Sequence, residues 1–246
     1  MRKILLAPIF SFCICYFTLA EKALAGAPAE INKTESTKGD SKFEGSLSMS
    51  MAMETGNGEM ELFIAGDKIR LNMELTLNPM PMPILMGILL DLKTPKQATL
   101  ISDQTQTYSN IPIPETLPPS GPKTLGKYDV KVMGDTTLLG YTCSHIALKR
   151  DKELIDTWIT KGLPDMYSAL KRLQLANPQI GEAAIFQALE ESGHAGMPMR
   201  YRVVRDGQKV SMEVKKVSRQ KIPATQFAIP MGYVENKMGK PGLGDH

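Results

Sequence analysis

From about Phe43 to about Glu235 the chain alternates apolar and polar residues with a period of two, the pattern of β-strands that bury one face. In "SLSMSMAM" Leu47, Met49, Met51 and Met53 share one face, and Ser46, Ser48, Ser50 and Ala52 share the other. A turn at "TGNG" follows. Met60, Leu62 and Ile64 then alternate with Glu61 and Phe63, and after "AGD" Ile69, Leu71, Met73 and Leu75 alternate with Arg70, Asn72, Glu74 and Thr76. This predicts a three-stranded meander with one apolar face. "ATLIS" and "TYSNI" around "DQTQ" predict a further hairpin, and "KYDVKVMG", "YTCSHIALK" and "ELIDTWITK" a second set of strands broken at Gly134-Asp135. "MRYRVVR" and "KVSMEVKKV" form a hairpin about Asp206-Gly207, with Val210, Met212 and Val214 inward, and "TQFAIP" is placed to close an edge.

Two segments break the alternation. "PDMYSALKRLQLANPQIGEAAIFQALEESGHAG" spaces Met166, Leu170 and Leu173 for a helix, then offers Asn177 as N-cap, Pro178 at the first helical position and Gly193 as stop. "LNPMPMPILMGILLDL" carries Pro79, Pro81 and Pro83 before an apolar run, and the prolines place it at an edge or in a long loop. A loop this apolar packs on something, either as a lid over the sheet's apolar face or as a cap on an ordinary core. The expected class is α+β: an antiparallel sheet whose apolar face is covered by a helical hairpin.

The N-terminus changes the picture of where this domain works. Arg2 and Lys3 precede the apolar run "ILLAPIFSFCICYFTLA" and then Ala23-Leu24-Ala25, which predicts a secretory signal peptide over residues 1–25; a retained membrane anchor is the alternative. Neither Cys13 nor Cys15 closes a lipobox, so no lipid anchor is expected. Cleavage near Ala25 leaves a disordered linker over 26–42, a single domain over 43–235 and a disordered Gly-rich tail over 236–246, in the periplasm or secreted. Residues 1–25 carry Arg2, Lys3 and Lys22 against Glu21, a net +2 of the chain's formal +3, so the mature protein is near neutral. That removes any argument for a polyanion partner, and nucleic-acid binding is not expected. Only Cys143 then remains, which excludes an intramolecular disulfide; a buried thiol, a reactive centre and an intermolecular bridge are its readings.

Catalytic signatures are missing from the sequence: no Gly-x-Ser-x-Gly elbow, no His-Glu-x-x-His pair, no phosphate loop and no dinucleotide fingerprint. Ser144, His145 and Asp156 could be imagined as a hydrolytic group, but their spacing does not single them out. No enzyme, cofactor or metal is expected. Soft donors do recur, in Met49-Ser50-Met51-Ala52-Met53, Met80-Pro81-Met82 and Met197-Pro198-Met199, and thioethers suit Cu(I), so a periplasmic Cu(I)-handling protein is one alternative. Against it, the same face continues as Leu62, Leu71 and Val210, as a core face would.

The order of "FEGSLSMSM", "GDKIRLNM", "ATLISDQTQTYS", "DTWITKGLP" and "IPATQFAIPMGY" resembles the LolA-like superfamily of bacterial envelope proteins, in a branch of exported domains of unknown function. The resemblance implies a strongly curved antiparallel half-barrel whose cavity takes a lipid or a lipoprotein acyl chain. Met49, Met51, Met53, Leu62, Leu71, Met73 and Met212 would then line the wall, while Met82, Leu85 and Met86 of the Pro-rich segment, with the helical hairpin, would cover it. The Pro- and Met-rich insertion and the long hairpin depart from the lipoprotein carriers. Arg70 sits where carriers have a strand arginine, among neighbours that suggest a solvated face. Flexible thioethers suit an apolar ligand of variable shape. The expected function is therefore a non-enzymatic binding protein for an apolar small molecule, lipid or acyl chain, with an envelope accessory or peripheral-association role as a further alternative.

Overall fold

The computed structural model describes residues 43–80, 82–94, 96–113, 127–176 and 183–236. The expected signal peptide, the linker over 26–42, the tail after 236, Pro81 and the Asn177 cap lie outside them. Six strands run in chain order as a first meander: β1 (Gly45–Met53), β2 (Gly56–Ala65), β3 (Lys68–Leu77), β4 (Ile84–Asp91), β5 (Gln97–Ser102) and β6 (Thr107–Pro112). A second meander holds β7 (Asp129–Leu138), β8 (Tyr141–Arg150), β9 (Glu153–Thr160) and, after two helices, β10 (Met197–Arg205) and β11 (Gln208–Arg219). β1 pairs antiparallel with β11, Gly45 opposite Arg219, and this seam joins the two meanders. The described residues thus form one curved sheet of twelve strands that does not close. Its last strand, β12 (Val234–Glu235), lies parallel to β6 at one edge; every other pairing among the described residues is antiparallel.

Alternation gives this sheet two unlike faces. The inner face carries the buried rows Leu47, Leu62, Leu71, Ile88 and Ile64, Ile69, Leu90, Ala98. Helix α1 (Pro164–Ala176) sends Met166, Ala169 and Leu173 into that cluster, and α2 (Ala183–Glu191) sends Ile185 and Leu189 onto Ile146, Leu148, Ile155 and Tyr201. Helix α1 therefore packs on inner-face residues of both meanders, Met197 and Met199 of β10 among them, and α2 on those of the second. Tyr167 Oη and Lys171 Nζ of α1 both donate to Glu190 Oε1 of α2, tying the helices together. The stop of α2 is a Schellman motif: Gly193 N–H bonds to Glu190 O and His194 N–H to Leu189 O, with Gly193 at φ +76° as the sequence predicts.

The structure corrects four expectations. The first turn is Glu54–Thr55, and Gly56, Asn57 and Gly58 lie in β2. Glycine is needed at 56 for close packing, since a Cβ there would stand 1.9 Å from Thr76 O of β3. The apolar run after Pro83 is no loop or edge: Ile84–Asp91 is β4, paired on both sides by β3 and β5. The prolines precede the strand and so remove none of its ladder bonds. β7 continues through Gly134-Asp135 as a bulged strand and turns at Leu139-Gly140. "TQFAIP" closes no edge; Ala224–Phe227 is a short 3-10 helix. It lies on the outer face of β3, where Arg70 donates to the carbonyls of Gln226 and Ala228 and, through Nε, to Asn72 Oδ1.

Candidate functional site

The register of the first meander places methionines side by side across the sheet. Met49 of β1 is opposite Met60 of β2, Met60 opposite Met73 of β3, and Met73 opposite Met86 of β4. One row further toward the Glu54–Thr55 turn, Met51 is opposite Met212 of β11. Neighbouring strands lie ~4.8 Å apart, so the row from Met49 to Met86 runs about 14 Å across the inner face. Met49 is 2% exposed, whereas Met51, Met60, Met73, Met86 and Met212 are only partly buried. The leucine and isoleucine rows beneath α1 are closed by the protein's own helix, and the methionines stand at the margin of that cover. Next to them Gly58 makes room for its neighbours: a Cβ there would come 2.6 Å from Leu75 Cδ2 and 3.3 Å from Met51 Cε, which fill the space over it. The row ends on β5 and β6 in Ser102 and Thr107.

Eight of the expected lining residues share this face: Met49, Met51, Met53, Leu62, Leu71, Met73, Met86 and Met212. Leu62 and Leu71 are buried in the helix-covered core. Leu85 is opposite Glu74 on the outer face, and Met82 is 67% exposed in the connection between β3 and β4. Met60 is not among the residues that the sequence predicts for the wall. It follows from the true turn, because a reversal centred on Glu54–Thr55 puts position 60 beside position 49.

Two of the three along-chain Met-x-Met clusters do not survive as accessible donor sets. Met197 and Met199 are buried at 0% and 1%, and Met80 and Met82 are exposed on a turn. Among the described residues no three His, Cys, Asp or Glu side chains converge as metal ligands. Cys143 is fully buried, its Sγ 3.4 Å from Tyr141 O, and burial pushes its thiol pKa up, which disfavours the nucleophilic thiolate. Ser144 Oγ donates to Asp135 Oδ1, whereas His145 Nε2 bonds to Asp156 Oδ1 at 2.9 Å and its ring stacks on Trp158 at 4.2 Å. Adjacent strand residues point to opposite faces, so Ser144 and His145 do not form a hydrolytic pair.

One small open pocket, about 140 Å³, lies on the outer side between Lys68, Leu89, Asp91, Thr94, Gln97 and Phe227. That is well short of the roughly 300 Å³ at which small-molecule sites begin. The inner methionine row, an open apolar strip rather than an enclosed hollow, is the stronger candidate.

Residues 43–233 match the model of a family described as a domain of unknown function, DUF4412. No curated protein matches the chain. Solved structures similar to it include the following three. An uncharacterized conserved protein from Thermus thermophilus is 8% identical, covering 79% of this chain and 91% of that one, with a TM-score of 0.44. LprF from Mycobacterium bovis is 11% identical, covering 74% and 90%, at 0.33. A DUF1329 family protein from Desulfovibrio piger is 8% identical, covering 77% and 91%, at 0.32.

Proposed function

The chain belongs to the DUF4412 family, and from the geometry of its inner face we propose that it is an exported, non-enzymatic binding protein that takes an apolar chain, a lipid or acyl group, along its methionine row. The observation that carries this reading is the run of thioethers in register on four strands, half-covered on three of them, where a face serving only as core would be closed by the helices. An extended chain laid across the strands meets one flexible side chain per strand, and each adapts its three torsions to the ligand. Burial of each methylene contributes roughly 0.8 kcal/mol, so affinity grows with chain length and needs no specific polar contact. The hydroxyls of Ser102 and Thr107 at the end of the row suit a polar terminus of the ligand.

Displacement of a fluorescent fatty acid tests this. Wild-type protein is expected to bind the probe and to release lipid on organic extraction, with affinity rising along a series of fatty acids of increasing length. Met73→Asp, which places a charge at the centre of the row, is expected to abolish probe binding while circular dichroism stays unchanged. Equal binding by the variant, or none by the wild type, refutes the reading.

A further inference from the structure

We propose that Met60, Met73 and Met86 also form a binding site for a soft monovalent d10 cation, Cu(I) in the cell and Ag(I) as its redox-inert analogue. The inference rests on the register of three strands and not on the apolar-ligand reading. The sequence argues against metal because β1's methionines continue as leucine and valine. Register reverses that argument, since the partner of Met49 is Met60, the partner of Met60 is Met73 and the partner of Met73 is Met86. Three thioethers therefore stand on adjacent strands with no other side chain between them.

Directly opposite residues hold their Cβ atoms about 5 Å apart, so the outer pair, Met60 and Met86, is roughly 10 Å apart at Cβ with Met73 midway. Each sulfur sits two bonds beyond its Cβ on an unbranched chain, so two neighbouring methionines reach one ion between them, and Met73 is common to both pairs. All three are partly exposed, so an ion reaches them without unfolding the core, whereas Met49 is closed off.

The donor chemistry selects the ion. Thioethers are neutral and soft, and the positions that flank the row are Val214 on one side and Ser102 and Thr107 on the other, with no carboxylate or imidazole among them. Zinc, calcium and magnesium take harder or charged ligands, so such a set favours a soft ion of single charge. Partial exposure reduces the desolvation cost that a buried cation without an anion would meet.

The test uses the purified wild-type protein and the triple variant Met60→Leu, Met73→Leu, Met86→Leu, which keeps the face apolar while removing every sulfur of the site. Wild type is expected to take one Cu(I) per chain in competition with bicinchoninate under anaerobic conditions, and one Ag(I) by native mass spectrometry. The triple variant is expected to lose both while its circular dichroism and melting temperature match those of the wild type. X-ray absorption of the Cu(I)-loaded wild type provides a check that needs no variant, with a shell of sulfur expected. No uptake by wild type, uptake unchanged in the triple variant, or a shell of nitrogen or oxygen overturns the proposal. Failure of the fatty-acid probe on wild type bears only on the apolar-ligand reading, because cation uptake is read separately.

Discussion

Glu153 shows how one side chain makes stability depend on pH. It is 6% exposed, accepts from Tyr128 Oη at 2.6 Å and from Arg150 at 2.9 Å, and is paired with Arg205. Burial opposes its charge, but the hydrogen bonds from Tyr128 and Arg205 outweigh burial and hold its pKa below the ordinary value of 4.5. A depressed carboxyl contributes stability that is complete above the unfolded pKa and is lost as pH falls through the folded one. Glu153→Gln is expected to lower stability at neutral pH by roughly 3 kcal/mol, because Arg150 and Arg205 lose their shared anion. Urea melts from pH 7 to pH 3 check the sign: the gap between wild type and variant should narrow below about pH 4.5. A constant gap would mean that the carboxylate charge contributes nothing. Arg70 illustrates the limit of reading single residues from sequence. Its polar neighbours suggest a solvated face, yet its guanidinium holds the carbonyls of Gln226 and Ala228, a contact set by a segment more than a hundred residues away.

At the scale of elements, period-two alternation identifies β1, β2, β3 and the hairpin of β10 and β11 with their inward residues, because each has a single buried face. Sequence and structure part where one pattern serves two physical ends. "TGNG" reads as a turn, but Gly56 and Gly58 are glycine because β3 and the side chains of Leu75 and Met51 crowd them. Moving the turn by two residues changes every partner of β1 on β2, and that conceals the Met49–Met60 step of the methionine row. The prolines before Ile84 likewise read as a strand breaker although they only delay the strand's start. Expected and observed helices agree at α1, whose Met166 is fully buried among the inner-face residues. Met166→Ala is expected to cost about 3 kcal/mol, as a large-to-small change in a packed core does. The space it opens lies in the cluster that includes Met49, so uptake of the apolar probe should rise even as the melting temperature falls. A fall in both would place ligand binding away from α1.

At the scale of the whole molecule the sheet is asymmetric. One edge ends in the two residues of β12 and the other in the ten of β7, where a bulge at Met133 interrupts the regular ladder that a passing strand would need. Between the edges lies the seam of β1 and β11, where among the described residues the two meanders pair, since each is otherwise built from sequence-adjacent strands. This makes the protein a natural candidate for split complementation. Fragments ending at Ile113 and beginning at Lys127, produced together, should recognise each other through nine paired positions from Gly45–Arg219 to Met53–Val210 and through Val234 against Thr107. Co-purification through a tag on either half measures this, and charged residues at Leu47 and Val217 should prevent it. The half-molecules would then let the methionine strip of the first meander be exchanged between relatives while the helices and the second meander are kept, turning one protein into a modular scaffold.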